Sequence, residues 1–541
     1  MKRRSLAMAM AAMLTLSGCD LNNPVNLSIN DIIQLLIGKW NGTPNQPGGE
    51  NPGEETPKAV QIAVSPTDIQ LGLSTSYGFA CTVTGATETG CNWAVTEAGG
   101  GAITTAGVYT APAAAGVFHI VATSKADTTK TATATVTVAA VTASGKPWVT
   151  GYYAGWFWDQ WYPPQQVDMT AMTHFVFGRV APGAGSLGGA AGTVVKGAGT
   201  AHTAKLSPDG VRSVEDYLVK KAHDSGIKAL LMLGGDGGDG IGFNKSTTDA
   251  LRPTFVKNIV DYMVAHDYDG VDVDWENGLN GGSEAGGVAA AESQRRLKAL
   301  ISEIRIEAAK RPRYSTAATK ALVTFPGYAV SINFMQPGGK VNQWQADVAN
   351  MVDQYNLMSY GIGTAYTGGG WSSWFSSPIF GATGVTPYDL DTSIKAYVAT
   401  GVPRSKIGIG IGFYGIYYGP SIKGPRQPTE GEDIFEVQDA SLAYSELVRK
   451  GYLSHGTLKW DEASRSSYRT YAGAGYIPSN DPNANPAGFL SFEDERSIAA
   501  KAEWVRSTGV GGAILWTINY GYLDSSKTNP LLAAVKKGFI Q

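Results

Sequence analysis

Residues 269–276 read Asp269-Gly270-Val271-Asp272-Val273-Asp274-Trp275-Glu276. Side chains of a β-strand point alternately to its two faces, so this pattern predicts a strand with Asp272, Asp274 and Glu276 on one face and apolar residues on the other. In a barrel of parallel strands the apolar face packs on helices, and the three carboxyl groups then point inward near the carboxyl end of the strand. Crowded carboxyls cannot all ionise at low cost, so at least one keeps a proton at neutral pH and can donate it.

The same acids allow two other interpretations. They occupy positions one, three and five of an EF-hand-like calcium loop, but position six is Asn277 instead of glycine, and the interleaved Val and Trp residues do not suit an open loop. The other interpretation is a solvated strand face. We favour acid catalysis, because a Glu with a raised pKa beside ionised or proton-sharing Asp residues is the arrangement that glycosidases use.

A repeating strand–helix pattern begins at Trp148 and continues through the rest of the chain. Apolar segments alternate with helical patterns such as Ala289–Ala309, which predicts an α/β fold, a (β/α)8 TIM barrel over 146–541, with a doubly wound open sheet as the competing topology. About 100 residues separate the seventh and eighth segments, too many for one helix, so we expect a small inserted subdomain there. The predicted strands are Trp148–Tyr153, Thr173–Val180, Lys228–Leu233, Gly270–Trp275, Tyr328–Asn333, Tyr355–Tyr360, Ile407–Gly412 and Gly512–Thr517.

The first 58 residues precede the predicted domains. Residues 1–18 combine a basic start, a short apolar run and a Leu-Ser-Gly-Cys ending that resembles a bacterial lipobox, which predicts a lipoprotein signal peptide. Cys19 is then the lipidated first residue of an exported, membrane-anchored chain, periplasmic or at the cell surface. Residues 19–58 are expected to form a flexible tether, because their second half is rich in Pro, Gly, Asn and Glu. The alternative is an ordinary signal peptide that contains a Cys.

Residues 59–140 contain short alternating runs of Thr, Val, Ala and Ser separated by turn residues, which predicts a small all-β sandwich. The segments Val64-Ser65-Pro66 and Gly107-Val108-Tyr109-Thr110-Ala111-Pro112 resemble bacterial Ig-like domains of group 2, which implies a spacer or a module that binds carbohydrate or a surface. Cys81 and Cys91 remain once Cys19 is assigned to the lipid, and an oxidising compartment favours a disulfide between them.

The acidic segment also carries a family resemblance. Four acids in the order Asp-x-x-Asp-x-Asp-x-Glu, with apolar residues between them at the end of a strand, resemble the signature of glycoside hydrolase family 18, the chitinase-type barrels. The resemblance covers 146–541. Further segments agree in the expected order: Val149–Tyr153, Thr173–Gly178, Asn356–Tyr360 and Gly509–Trp516.

The resemblance implies a retaining, substrate-assisted mechanism, an exception to the scheme with two catalytic carboxylates. Glu276 is then the general acid and afterwards the base. Asp274 orients the 2-acetamido group of the substrate, and Asp272 shares a proton with Asp274. The other implied roles belong to Tyr360 at the acetamide oxygen, Trp516 under the cleaved sugar, Tyr152 behind the acids, Met358 and Asn277 at the substrate, and Asp269 as a structural acid.

The sequence departs from the family pattern at three positions. Met232 stands where a Ser hydroxyl usually supports the acids, Gly361 stands where an Asp usually follows the Tyr, and Asn277 stands where an aromatic residue is common. Because the general acid and its partner are present, we expect an active enzyme with altered pKa values in the acid cluster.

Aromatic residues follow the first and sixth predicted strands. Trp156, Trp158, Trp161 and Tyr162 follow the first, and Trp371, Trp374 and Phe375 lie in a Gly/Ser-rich loop after the sixth. We expect both loops on the catalytic rim and Trp371 and Trp374 in contact with substrate, which favours a cleft for an extended polymer. Burial within the loop is the alternative for each single ring.

Other chemistries have weaker support. The segments 235–240 and 410–415 match G-x-G-x-x-G, but neither is expected to open a helix, so we predict no dinucleotide cofactor. The six His residues lack metal-ligand spacing, and we predict no metal. With 43 Lys and Arg against 46 Asp and Glu, the net charge of -3 argues against nucleic acid as a partner.

Together these features predict an exported, lipid-anchored, monomeric hydrolase that cleaves β-1,4-linked N-acetylglucosamine polymers, with chitin as the first candidate. One alternative is an endo-β-N-acetylglucosaminidase that acts on N-glycans. Another is a non-catalytic chitin-binding lectin, which Asp274 and Glu276 disfavour. A third is an adhesin, which only the Ig-like segment supports.

Overall fold

The computed structural model describes residues 59–139, 146–235, 237–330, 340–363, 371–429, 432, 439–475 and 486–541. The predicted signal peptide 1–18, Cys19 and the tether 19–58 lie outside these ranges and stay predictions. Among the helices in the described ranges, none combines the length and the apolar character that crossing a bilayer requires.

Eight parallel strands close into a barrel, which confirms the predicted TIM-type fold and excludes the open sheet. The last strand pairs with the first, where Trp148 lies opposite Gly512, and the first strand also pairs with the second. The sheet therefore closes on itself. The barrel strands are β10 (Trp148–Ala154), β11 (His174–Pro182), β13 (Lys228–Gly235), β14 (Gly270–Trp275), β15 (Leu322–Gly327), β16 (Gln354–Leu357), β17 (Ile407–Gly412) and β22 (Gly512–Trp516), with β12 (Val194–Lys196) added beside β11.

Helices cover the outside of the barrel, and their sequences explain their ends. The helix over Glu495–Thr508 begins at a capping box of Asp494 and Ser497 and ends at Gly509 in the left-handed conformation. The helix over Ala290–Ala308 buries Leu297 and Leu300 at the predicted spacing. The described α-helices are α1 (Val214–Asp224), α2 (Asp239–Ser246), α3 (Arg252–Ala265), α4 (Ala290–Ala308), α5 (Gln343–Met351), α6 (Leu390–Ala399), α7 (Tyr444–Arg449), α8 (Glu495–Thr508) and α9 (Pro530–Val535).

The fifth barrel strand corrects the sequence-based prediction. The strand is Leu322–Gly327, not Tyr328–Asn333, and residues 331–333 lie outside the described ranges. Pro326 lies within this strand, although proline cannot donate a ladder hydrogen bond and is disfavoured in central strands. The structure accommodates it opposite Asn356 of the neighbouring parallel strand. This shift places Thr324 inside the barrel, fully buried.

A four-stranded antiparallel sheet is inserted between β17 and β22, as the spacing predicted. Its order is β18-β21-β20-β19. Helix α7 and a short 3-10 turn at Asp439–Leu442 belong to the same insertion. The strands are β18 (Ile416–Tyr418), β19 (Thr457–Asp461), β20 (Ser466–Ala472) and β21 (Ala487–Ser491).

Residues 61–139 form nine strands, and the Cys81–Cys91 disulfide is present. This β-domain packs directly on the barrel within one compact unit, 58–541. Tyr77 is 2% exposed and lies edge-on to Phe380 at 6.1 Å, and Ser507 of α8 donates to the Ser76 carbonyl at 2.8 Å. The strands are β1 (Gln61–Ser65), β2 (Asp68–Gly72), β3 (Ser76–Gly78), β4 (Ala80–Thr84), β5 (Cys91–Val95), β6 (Ala102–Ile103), β7 (Val108–Thr110), β8 (Gly116–Ser124) and β9 (Thr131–Ala139).

Candidate active site

Strand β14 points its acids into the barrel, as the alternation predicted. Asp272 is fully buried and Asp274 is 4% exposed, while Glu276 follows the strand and is half-buried. On the opposite face Trp275 stacks on Phe243 of α2, with ring centroids 4.7 Å apart and planes 7° apart. Packing of the apolar face against helices therefore fixes the inward direction of the acids.

Asp272 accepts hydrogen bonds from two hydroxyl groups on distant strands. The Tyr152 hydroxyl of β10 donates to Oδ2 at 2.9 Å, and the Thr324 hydroxyl of β15 donates to Oδ1. Burial raises the pKa of Asp272, these two donors lower it, and the result is about 6. Because donors on both oxygens favour the charged form, Asp272 is the member of the acid pair that ionises first.

Asp274 lies in a less favourable environment for charge. Burial, Glu276 and Asp272 raise its pKa well above the usual value, and Arg179 opposes the increase. Its Oδ1 has no hydrogen-bond partner among the described residues. Asp272 and Asp274 titrate together, and we assign the proton of the neutral-pH state to Asp274.

The groups around Glu276 come from several barrel loops. Tyr328 donates to the main-chain carbonyl of Glu276. Asn277 donates from Nδ2 to the Gly237 carbonyl at 3.2 Å, which joins the loops after β14 and β13. Tyr360 is half-buried after β16, and burial raises the pKa of its hydroxyl well above the usual value, so it stays a proton donor at neutral pH.

Trp516 ends the last barrel strand beside the acid support. Its ring centroid lies 5.8 Å from Tyr152 and 6.4 Å from Trp156. Its indole N–H donates to Asp439 Oδ2 at 2.8 Å. The insertion therefore reaches back to the barrel mouth and holds the orientation of this ring.

Asp269 lies at the other end of β14, before the strand begins. Burial raises its pKa, but donors from His223 and the Ala229 N–H and the charge of Lys228 lower it to about 2. His223 Nε2 is 2.9 Å from its Oδ2. Asp269 therefore lies in an ion-pair network with His223 and Lys228 at the end of the strand away from Glu276, and its structural role stays a prediction.

Two of the three unusual positions, Met232 and Gly361, have steric explanations. Met232 packs inside the barrel with Tyr152, Val176 and Ile514, so its side chain fills the space beneath the acids. Gly361 has φ +63°, and a Cβ there would lie 2.7 Å from the Tyr414 hydroxyl oxygen. A carboxylate side chain does not fit at position 361 without moving Tyr414.

The structure corrects the prediction of exposed aromatic residues after the sixth strand. Trp371 is 7% exposed and Trp374 is fully buried. Trp374 donates to the Tyr388 carbonyl at 2.9 Å, and the Arg426 guanidinium lies 5.1 Å from its ring centroid. Trp374 packs with Ile416 and Phe489 of the insertion, and the low exposure of both rings leaves no stacking surface. Met358 is half-buried after β16, near Tyr360 in sequence, and its predicted contact with substrate stays a prediction.

Three residues outside the motif that lie near the site were not predicted from the sequence. Thr324 was missed because the fifth strand was misplaced. Asp439 has no local signal, since its contact with Trp516 spans 77 positions. Arg179 could have been noticed, because it is a cation inside an otherwise apolar strand, His174–Pro182.

Two features bear on other ligands. A helix, α2, does begin within the segment 235–240, at Asp239, which corrects one expectation. Its first residue, Asp239, is a buried carboxylate, and such a charge opposes phosphate binding at a helix N-terminus. Glu215, Asp216 and His266 bring possible metal ligands within 4.8 Å of one another. Glu215 already accepts from Tyr262 and Tyr268, so this cluster is explained by its own hydrogen bonds.

Comparison with known proteins connects this geometry to a family. The profile of glycosyl hydrolases family 18 matches residues 149–521. The chain is 26% identical over 306 residues to Chitinase 1 of Aphanocladium album. That alignment covers 56% of this chain and 63% of the relative, so the chain spans less than two thirds of its length.

Two solved structures share the fold. The Group IV chitinase of Ostrinia furnacalis, solved in complex with allosamidin, has a TM-score of 0.55 at 19% identity over 72% of this chain and 98% of that chain. The bacterial cell-surface-expressed, multi-modular chitinase of Paenibacillus sp. strain FPU-7 has a TM-score of 0.53 at 18% identity. That match covers 90% of this chain and 57% of the other.

Proposed function

This chain belongs to glycosyl hydrolase family 18, and we propose that it is a chitinase that hydrolyses β-1,4-linked N-acetylglucosamine polymers with retention of the anomeric configuration. The similarity to Chitinase 1 of Aphanocladium album supports the substrate. The observation that carries the proposal is the arrangement of three acids along β14. Asp272 and Asp274 are buried inside the barrel, and Glu276 follows at the carboxyl end of the strand. Asp274 is a buried acid whose pKa is strongly raised, and Glu276 is one of the groups that raise it. Asp272 has a pKa of about 6 and is the member of the pair that ionises first.

In the proposed first step Glu276 gives its proton to the glycosidic oxygen, and the bond from that oxygen to C1 breaks. The carbonyl oxygen of the substrate's own 2-acetamido group bonds to C1 and forms an oxazolinium ion. The acetamide N–H donates to Oδ1 of Asp274, the buried oxygen without a partner among the described residues. No protein nucleophile is required, which fits a site whose acids all lie on one strand.

In the proposed second step the Glu276 carboxylate takes a proton from water as the water oxygen attacks C1. The oxazolinium ring opens, and two inversions at C1 give net retention. Tyr360 donates to the acetamide oxygen, and its raised pKa keeps it protonated during the cycle. Trp516 supplies the apolar floor under the cleaved sugar, with its indole fixed by Asp439.

The test compares the full chain with the Glu276→Gln variant on chitin oligosaccharides, with products separated by mass and by anomer. Glu284→Gln is the matched control, since Glu284 is an exposed acid eight residues further on. We expect retained-configuration products from wild type and Glu284→Gln, and a loss of at least about 100-fold in Glu276→Gln, as for removal of a general acid. Normal turnover by Glu276→Gln would remove it from the acid role, and binding without cleavage by wild type would indicate a lectin.

We also propose that the chain is an exported, monomeric lipoprotein anchored through Cys19, and that residues 59–140 are an Ig-like module. The nine strands of that region and the disulfide between Cys81 and Cys91 support the module.

Labelling with a radioactive fatty acid tests the anchor: wild type is expected to incorporate label and Cys19→Ser is not. Light scattering tests the monomer, and a particle of twice the mass of the mature chain would contradict it.

A further inference from the structure

We propose that Arg179 is a positioning residue of the acid site, and that its ion pair with Asp239 sets the pH range of hydrolysis through Asp274. The inference rests on the proposed function, because it concerns the same acids. It is independent of the identity of the substrate, since neither residue belongs to the acidic motif.

The ion pair is built into the carboxyl end of the barrel. Arg179 lies in β11, and its Nη1 donates to the Gly234 carbonyl at 3.2 Å and to Asp239. Its Nη2 donates to the Ser186 hydroxyl at 3.2 Å. Asp239 has a fully buried side chain and also accepts from the Ser186 N–H at 2.9 Å, while the Arg179 side chain is 17% exposed. A salt bridge this well enclosed holds the guanidinium in one place.

The guanidinium lies against two glycines of β13, the strand next to the acids. Gly234 is the register partner of Asp274 in the neighbouring strand, and Gly235 is the partner of Trp275. A Cβ on Gly234 would lie 2.4 Å from the Asp274 carbonyl oxygen, and a Cβ on Gly235 would lie 3.4 Å from Arg179 Nη1. Both glycines have positive φ, at +100° and +140°. Arg179 Nη1 therefore lies against the main chain of the residue that pairs with Asp274.

Asp274 is surrounded by groups from several elements. Asp272 and Glu276 flank it on its own strand and raise its pKa, and Asp239 from α2 does the same. The hydroxyls of Tyr152, Tyr328 and Tyr360 face it from the loops and strands around the barrel. Arg179 is the cation that lowers the pKa of Asp274 against these groups and against burial.

The two members of the pair therefore have opposite effects on the acids. Removing the Arg179 charge favours protonated Asp274 and moves the pH profile of kcat/KM upward. Removing the Asp239 charge favours ionised Asp274 and moves the profile downward. Unit charges about 6–10 Å away at an effective dielectric near 20 give shifts of about 1–2 pH units. A purely structural role would lower kcat without producing shifts of opposite sign.

The experiment measures kcat/KM against pH for the full chain on a soluble chitin oligosaccharide. We expect Arg179→Met to shift the profile upward, Asp239→Asn to shift it downward, and the double variant to return close to wild type. Arg179→Lys keeps the charge and is expected to stay within about 0.3 pH unit of wild type. Arg305→Met is the matched control, because Arg305 pairs with Asp353 at 2.8 Å on the outer helix layer.

A second readout separates this inference from the proposed function. The carboxyl titration of Asp274 can be followed by 13C NMR in protein labelled at Asp, with Asp274→Asn to assign the signal. The same opposite shifts in Arg179→Met and Asp239→Asn are expected whether or not the chain cleaves chitin. Unchanged titration in both variants, or shifts of the same sign, would overturn the role of Arg179. An inactive wild type with opposite NMR shifts would overturn the proposed function alone.

Discussion

Replacing Tyr152 by Phe removes one of the two hydroxyl donors that favour ionised Asp272. A hydrogen bond to a charged group contributes about 1.5–3 kcal/mol, and 1.36 kcal/mol corresponds to one pKa unit. Loss of the donor at 2.9 Å therefore raises the pKa of Asp272 by about 1–2 units. From its present value of about 6, the pKa moves to about 7–8.

The Tyr152→Phe variant is expected to lose activity only on the acidic side of the pH profile. If turnover requires ionised Asp272, the ionised fraction at pH 6 falls from about one half to between about 0.09 and 0.01. The value of kcat/KM at that pH then falls about 5- to 50-fold, while the difference from wild type shrinks as the pH rises above the new pKa. The pKa of Asp272 rises because the Tyr152 hydroxyl stabilises the charged carboxylate, and its loss favours the protonated form.

The assay is kcat/KM for a soluble chitin oligosaccharide from about pH 4 to 9. Tyr153→Phe is the matched control, because this neighbouring hydroxyl is also buried but donates to the Tyr162 carbonyl on the other face of the strand. Its profile is expected to match wild type in shape. An equal loss of activity by Tyr152→Phe at every pH would refute the reasoning and leave Tyr152 a purely steric role.

Three further predictions follow from single contacts. Asp439→Ala releases the indole N–H of Trp516, and we expect KM to rise about 5- to 10-fold with a smaller change in kcat, from the loss of about 1–1.5 kcal/mol. Gly361→Asp strains a residue at φ +63° and is expected to lower the free energy of unfolding by about 1–3 kcal/mol without raising activity. Replacing both cysteines of the Cys81–Cys91 disulfide, which are 10 positions apart, is expected to destabilise the β-domain by about 2–3 kcal/mol in urea denaturation.

Each of these predictions has a control. Asp524→Ala removes an exposed acid and is expected to leave KM unchanged. Adding Tyr414→Phe to Gly361→Asp removes the hydroxyl that meets the new side chain, and part of the lost stability is expected to return. The two-cysteine variant is measured beside reduced wild type, and equal stability of oxidised and reduced wild type would contradict the last prediction.

The arrangement of the acids could be predicted from sequence because it depends on local geometry. A strand alternates its side chains with a period of two, so three acids at 272, 274 and 276 had to share a face. Helix α4 was predictable for a similar reason, since a period near 3.6 places Leu297 and Leu300 on one side. The predicted fifth strand begins after Pro326, which disfavours strand structure locally, whereas the barrel accommodates Pro326 opposite Asn356.

The sequence by itself determined the barrel, the presence of an inserted subdomain and the inward direction of Asp272 and Asp274, because periodicity and spacing express these features locally. Only the tertiary structure decided the proton balance of those acids. Tyr152 lies 120 positions from Asp272 and Thr324 lies 52 positions away, and closure of the barrel brings both hydroxyls onto one carboxylate. The burial of Trp374 was decided in the same way, because a ring in a loop packs against whatever the fold places beside it. Solvent exposure and pKa depend on neighbours that are remote in sequence, and no local pattern specifies them.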